Sequence, residues 1–241
     1  MKPTKEKAIS FCRALIPRAI DGSKTMTRRV VKPQPTSSNC GEDYLDWKRS
    51  GKQIPGHYAK QSFARFCAPH QKDDILWVRE EYYEYGRWVV DGKTKTGKDK
   101  LKFAPRKNYH LYPIYYPDTL PPGTKITKGR PVGEWGYFWR NPRFMPRYAA
   151  RLFLRVTGVR VERLQDIGEE DATREGVELR CKIMECDDYA PTDAHTCKTM
   201  GLCYKQAFAN LWDGLNKKRG YGWDSNCYVF VVEFERVTEG K

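Results

Sequence analysis

Residues 150–163 (Ala-Arg-Leu-Phe-Leu-Arg-Val-Thr-Gly-Val-Arg-Val-Glu-Arg) alternate apolar side chains with charged or polar ones. A period of two puts the two sets on opposite faces of an extended strand, so the chain must build a sheet with one apolar face and one wet, arginine-bearing face. Gly158 marks a bulge or bend in that strand. Tyr228–Glu235 is apolar almost throughout and predicts a buried strand. Asp74–Glu80 is β-rich and predicts a central strand, and shorter strand signals lie at 8–11 and 26–31, the second stopped by Lys32-Pro33-Gln34-Pro35.

Helices are few. A short one runs to about Asp21, with Pro17 in its first turn and Gly22 as its stop. Another opens at Asp166 or Gly168 with Glu169, Glu170 and Asp171, acids that suit the positive end of a helix dipole, and Gly176 ends it. Tyr204–Asn216 is amphipathic, with Phe208, Leu211, Trp212 and Leu215 along one face. Three stretches lack sustained periodicity. Residues 36–71 read as an inserted loop with one short helix at 59–67. Residues 85–146, rich in Gly, Lys and Tyr, read as an insertion with hairpins around Trp88–Val90 and Tyr112–Tyr116. Residues 178–203 read as a cysteine-containing loop. Short strands, non-repeating crossovers and few helices point to an α+β fold: a small mixed β-barrel with flanking helices, one domain over 1–241 interrupted by two long insertions.

The net charge is +14 with pI about 9.4. That excess favours a polyanion or phosphate-bearing partner, and interleaving with 15 Tyr and 7 Trp favours a nucleoside, a nucleotide, RNA or DNA. No apolar run approaches eighteen residues, and no apolar segment follows Met1-Lys2-Pro3, so a membrane span or secretory signal is not expected and the protein reads as cytoplasmic. No cofactor motif of the G-x-G-x-x-G or P-loop type is present. Cys181, Cys186, Cys197 and Cys203 cluster with His195 and carry enough sulfur for a zinc ion. Their gaps are wider than paired C-x-x-C spacing, and reduced thiols in a loop are the default.

The stretch Asp21-Gly22-Ser23-Lys24-Thr25-Met26-Thr27-Arg28-Arg29 carries the chemistry. A lysine becomes a base when burial or adjacent cations lower its pKa. A threonine hydroxyl becomes a nucleophile when such a base is in reach, and three-residue spacing can place Lys24 and Thr27 on one side of a turn. A solvated surface turn is the competing reading of the same residues. Arg155, Arg160 and Arg163 form either a phosphate-facing patch or a soluble strand face.

Six ordered segments together resemble the ASCH family, domains similar to the PUA RNA-binding barrels. They are 18–35 (containing Lys24-Thr25-Met26-Thr27-Arg28-Arg29), Asp74–Glu80, Met145–Arg151, Val159–Ile167, Glu169–Val177 and Arg219–Asp224. The likeness is greatest to the larger ASCH proteins of bacteriophages and prophages, and it leaves the insertions uncovered. A small bacterial member of the family removes the acyl group from N4-acetylcytidine with a lysine, a threonine and a glutamate. The resemblance places these at Lys24, Thr27 and Glu175. It further implies substrate or nucleic-acid contacts at Arg28, Arg29, Trp77, Arg79 and Arg147, with no metal in the reaction. Other ASCH proteins bind RNA or cleave it, so a non-catalytic reader of RNA, DNA or a modified base and a ribonuclease stand beside the amidohydrolase.

Overall fold

The parity of residues 153–163 changes once, and that change organises the sheet. Leu154 and Val156 are apolar at even positions, whereas Val159 and Val161 are apolar at odd ones. In a computed structural model this stretch is one long strand with a bulge between Val156 and Gly158, so all four side chains stay on one face. The structure describes residues 5–38, 41–46, 48–49, 52–53, 58–177 and 200–237, without the side chains of 37–38, 41–46, 48–49, 52–53, 58–59, 61 and 200–203.

In chain order the strands are β1 (Glu6–Ser10), β2 (Met26–Val30), β3 (Thr36–Ser38), β4 (Gly41–Asp46), β5 (Lys48–Arg49), β6 (Lys52–Gln53) and β7 (Tyr58–Ala59). They continue with β8 (Ile75–Arg79), β9 (Tyr82–Lys93), β10 (Asp99–Pro105), β11 (Gly136–Arg140), β12 (Phe153–Arg163) and β13 (Tyr228–Val237). Helices are α1 (Ile16–Ile20), α2 (Lys60–Cys67), α3 (Glu169–Arg174) and α4 (Met200–Asn216). The fold is α+β. The chain divides into two compact units, one made of Met1–Lys7, Ala14–Leu76 and Leu152–Lys241, the other of Ala8–Arg13 and Trp77–Arg151. The second expected insertion, 85–146, makes up most of the second unit.

The first unit contains β2, β12 and β13 with the opening residues of β1 and β8, in a sheet of order β1-β8-β12-β13-β2. β12 pairs antiparallel with β13 and β13 with β2. The sheet has edges at β1 and β2 and does not close into a barrel among the described residues. Both faces of β12 and β13 are covered, which corrects the expectation of one wet face. Val229 and Val231 pack with Met26, Leu164, Ile167, Ala172, Phe208 and Trp212 beneath α3 and α4. Phe230, Tyr228, Val161 and Val31 pack with Phe63, Ala64 and Ala68 of α2. Burying side chains of this size gains about 2 kcal/mol each, so the two layers hold the unit together. Leu215, expected on the apolar face of α4, is 47% exposed; Phe208 and Trp212, a turn apart, carry the packing.

The stretch 36–71 holds more structure than expected. β3-β4-β7 form one small sheet and β5-β6 a two-stranded one, with strands of two to six residues, too short for a period to register in the sequence. In the second unit, β10-β9-β11 form an antiparallel sheet. Trp88 lies within β9, opposite Phe103, so the hairpin joins β9 to β10 beyond it. Residues 112–116 form no hairpin; Tyr115 makes a single bridge to Tyr83.

Candidate functional site: a buried lysine, an arginine and their carboxylates

A short loop sets the site. Gly22 takes a φ of +85° that favours glycine, and Ser23 N–H and Oγ donate to Asp21 Oδ1 at 2.8 and 2.6 Å, which holds that exposed carboxyl below its usual range. Lys24 N–H then donates to Arg18 O at 2.8 Å and Thr25 N–H to Arg174 O at 2.9 Å, docking the loop on the end of α3. Gly176 ends that helix at φ +81°. A Cβ there would lie 3.1 Å from Lys24 Cβ and 3.2 Å from Arg18 Cβ, so the backbone favours glycine and a side chain would press on both neighbours.

Lys24 and Glu175, 151 residues apart, meet inside the unit: Lys24 Nζ donates to Glu175 Oε2 at 2.9 Å, to Glu175 O at 2.8 Å and to Met26 O at 2.6 Å. The side chains are 0% and 4% exposed. Three acceptors around one nitrogen match the three donors of an ammonium.

Arg28 lies beside them, its side chain 0% exposed. Its Nε and Nη2 donate to Glu162 Oε1 at 3.1 and 2.5 Å and Nη2 to Asp171 Oδ2 at 2.8 Å. Nη1 donates to Glu175 Oε1 at 3.3 Å and to Met26 Sδ at 3.4 Å. Arg160 also donates to Glu162, Asp171 and Glu233, and Arg174 lies 3.8 Å from Asp171 and 3.9 Å from Glu233. Four cations face four carboxylates. Such a set is tolerated in a low-dielectric interior because nearly every charge has a partner.

The strand register sorts these groups by face. Met26 and Arg28 are one side of β2, with Val231 and Glu233 of β13, and with Arg160 and Glu162 of β12. Thr27 and Arg29 alternate to the opposite side, Thr27 beside Val232 and Arg29 beside Phe230. Phe234 N–H donates to Thr25 O, and Val31 N–H to Tyr228 O, so odd positions of β2 turn their backbone to β13 and Met26 turns its carbonyl to the open edge. Lys24 Nζ therefore sits at that edge, on the carbonyl that precedes Thr27. The Thr27 side is also buried (the residue is 5% exposed).

The other expected contacts are dispersed. Arg28 spends its donors on carboxylates rather than on open surface, which makes it a positioning residue for Glu175. Arg29 is half-buried near His70, whose Nδ1 is enclosed without a hydrogen-bond partner. Burial, with Lys7 and Arg29 adding, holds that imidazole near 4. Trp77, Arg79 and Arg147 belong to the second unit. Arg79 stacks on Trp77 at 4.9 Å, Trp77 packs against Tyr82, Tyr116, Met145 and Ala149, and Arg147 is exposed. Cys181, Cys186 and Cys197 lie outside the described residues, as does the side chain of Cys203. Cys12, Cys67 and Cys227 form no disulfide, and among the described residues no group of three metal-ligating side chains assembles. No described helix is long and apolar enough to cross a membrane.

Sequence reasoning missed Glu162, Asp171 and Glu233, and it left Arg160 between a phosphate-facing patch and a soluble strand face, not in this cluster. Two signals were present: Arg160 and Glu162 share a strand face, and Asp171 and Glu175 stand one helical turn apart. Compared with family models, curated proteins and solved structures, the chain finds no match in any of the three.

Proposed function

We propose that this chain is an ASCH-like amidohydrolase that removes an N4-acyl group from a cytosine nucleoside, with Thr27 as nucleophile, Lys24 as proton carrier and Glu175 as the carboxylate that sets its state. A PUA-like origin of the sheet and a cytoplasmic setting, where such nucleosides are met, belong to the same reading. One observation carries it: the 2.9 Å contact between Lys24 Nζ and Glu175 Oε2, placed one peptide unit from Thr27.

The reaction begins with a proton passing from Lys24 Nζ to Glu175 along their hydrogen bond, which leaves an amine at the strand edge. Thr27 lies on the other face of β2, so that amine has to pass around the strand edge to take the Thr27 proton as Oγ1 attacks the acyl carbonyl. When the tetrahedral centre collapses, the carbon–N4 bond breaks and Lys24 returns the proton to the departing 4-amino group. Water, deprotonated by the same pair, then cleaves the Thr27 ester, releasing the carboxylic acid and restoring the hydroxyl. Arg28 holds Glu175 by its other oxygen. Because Lys24 is wholly enclosed, substrate entry requires the 22–25 loop to part from the end of α3.

A second reading has its own observation. Lys24 and Arg28 have their donors matched by acceptors, as in a cluster that only clasps β2 to α3 and β12. Such a clasp belongs to a non-catalytic nucleic-acid module. Ultraviolet assay with N4-acetylcytidine separates the two: turnover by the wild type, lost in Thr27→Val and retained in part by Thr27→Ser, supports the hydrolase. No turnover at millimolar substrate leaves the module.

A further inference from the structure

The second unit carries seventeen Lys and Arg against seven Asp and Glu, a net of +10 out of the chain's +14. Five of those seven carboxylates are engaged: Glu80 and Asp118 by Arg151, Glu81 by Arg13, Asp99 by Lys93, and Glu84 by the Tyr148 hydroxyl. The positive excess is therefore largely uncompensated within the unit. It coincides with 17 of the chain's 32 aromatic residues.

The three-stranded sheet separates those aromatics by face. Along β9, Tyr82, Glu84, Gly86 and Trp88 are buried, and Trp88 packs edge-on against Phe103 and Phe138. The alternate positions Tyr83, Tyr85 and Arg87 lie on the other face, opposite Trp139, Tyr137 and Ala104. Tyr112 and Tyr115 half-cover this face over Tyr85 and Tyr137, and it is open around them: Trp139 is 47% and Trp135 44% exposed, and Arg87, Lys102 and Arg106 are exposed.

Its rings are pre-stacked. Tyr112 and Trp135 both stack on Tyr85, with centroids 4.1 and 6.0 Å away and planes tilted by 15° and 13°. Arg87 sits 5.0 Å over Trp135, while Arg106 sits 4.8 Å over Tyr112 and 5.4 Å over Trp135. Burial and neighbouring tyrosines push the Tyr137 hydroxyl up to about 12, so it stays neutral at pH 7. An arginine plane resting on a ring keeps its N–H edges for a phosphate, and a base can continue the ring stack.

We propose that the open face of β10-β9-β11 binds single-stranded nucleic acid. Bases stack on Trp135, Trp139 and Tyr112, and phosphates lie along Arg87, Arg106 and Lys102. Rings and guanidinium groups read bases and phosphates, which RNA and DNA share, so the surface is indifferent to the sugar. A protein partner would find the aromatic anchors but no use for a net charge of this size. The region lies in the part of the chain that the ASCH resemblance leaves uncovered, and the inference does not rest on the hydrolase reading.

Fluorescence anisotropy of the full chain with labelled oligo(U) and oligo(dT) of about twelve nucleotides tests it. Both should bind, within about fivefold of each other, and tighter than a duplex of equal length, whose bases are hidden. Trp135→Ala and Trp139→Ala should each weaken binding roughly tenfold, and Trp139→Phe should recover most of it. Arg87→Glu should lower the slope of log K against log salt by about one. Thr27→Val should bind as the wild type does, so that loss of hydrolysis and loss of binding fail separately. Duplex or heparin binding as tight as single-strand binding, discrimination between the two oligonucleotides well beyond fivefold, or ring variants indistinguishable from wild type, would overturn the proposal.

Discussion

The cluster around Arg28 and the open sheet face around Trp135 both depend on arginine, and they use it in opposite ways. In the first unit the guanidinium is enclosed and its donors end on three carboxylates and a thioether. In the second, Arg87 and Arg106 rest on rings, and among the described residues neither is paired with a carboxylate. The first unit holds a net charge near +4, the second +10. Buried arginine fixes geometry, because each donor left unmatched costs energy. Surface arginine over aromatic rings keeps its donors for an incoming anion. One chain thus holds arginine in two settings, one saturated by carboxylates and one resting on rings.

Removing Arg28 should produce the largest effect on that contrast. Arg28→Met leaves Glu162, Asp171 and Glu175 crowded with one cation fewer, and urea unfolding should show a loss of about 3–5 kcal/mol. A loss under about 1 kcal/mol would mean the cluster relaxes and holds nothing. Next is Gly176→Ala, expected to cost about 2 kcal/mol from the left-handed backbone and the pressure on Lys24 and Arg18. It should lower kcat with it, whereas Gly97→Ala, also at positive φ but with open space around it, should cost about 1 kcal/mol and leave kcat alone.

Acid sensitivity sharpens the comparison further. His70 sits near 4 in the folded protein against about 6.5 unfolded, so the unfolded chain binds the extra proton first. Its contribution is intact above about pH 6.5 and is lost as pH falls toward 4. The shift corresponds to about 3 kcal/mol, discounted to about 1–2 because the ring keeps some solvent contact. Stability measured from pH 7 to 4 should fall less steeply in His70→Gln; an unchanged slope would show that His70 is not the source. The smallest effect belongs to the open face: Arg87→Met should change stability by less than about 0.5 kcal/mol, in contrast to Arg28→Met.

Much of the scaffold could be read from residues alone. The apolar pattern of 153–163, the stop at Gly22 and the acid-rich start of α3 all follow from local period and turn chemistry. Where tertiary packing governs, local pattern failed. Period alone leaves Arg160 as a phosphate-facing or a soluble strand residue, because its partners come from β2, β13 and α3, mostly distant in sequence. The meeting of Lys24 with Glu175 was an implication of the family resemblance; no spacing rule links residues 151 apart. The face carrying Trp135 and Trp139 was illegible for another reason. β9 has aromatic residues at both even and odd positions, so hydrophobicity could not tell inside from outside. Only its pairing with Phe103 and Phe138 does.

Mass spectrometry of an acid-quenched reaction with N4-acetylcytidine looks for the acyl-enzyme itself. An acyl group is expected on the peptide containing Thr27 in the wild type, and none in Thr27→Val. An unmodified Thr27 peptide at all times during measurable cytidine release, or acylation at another residue, would contradict it.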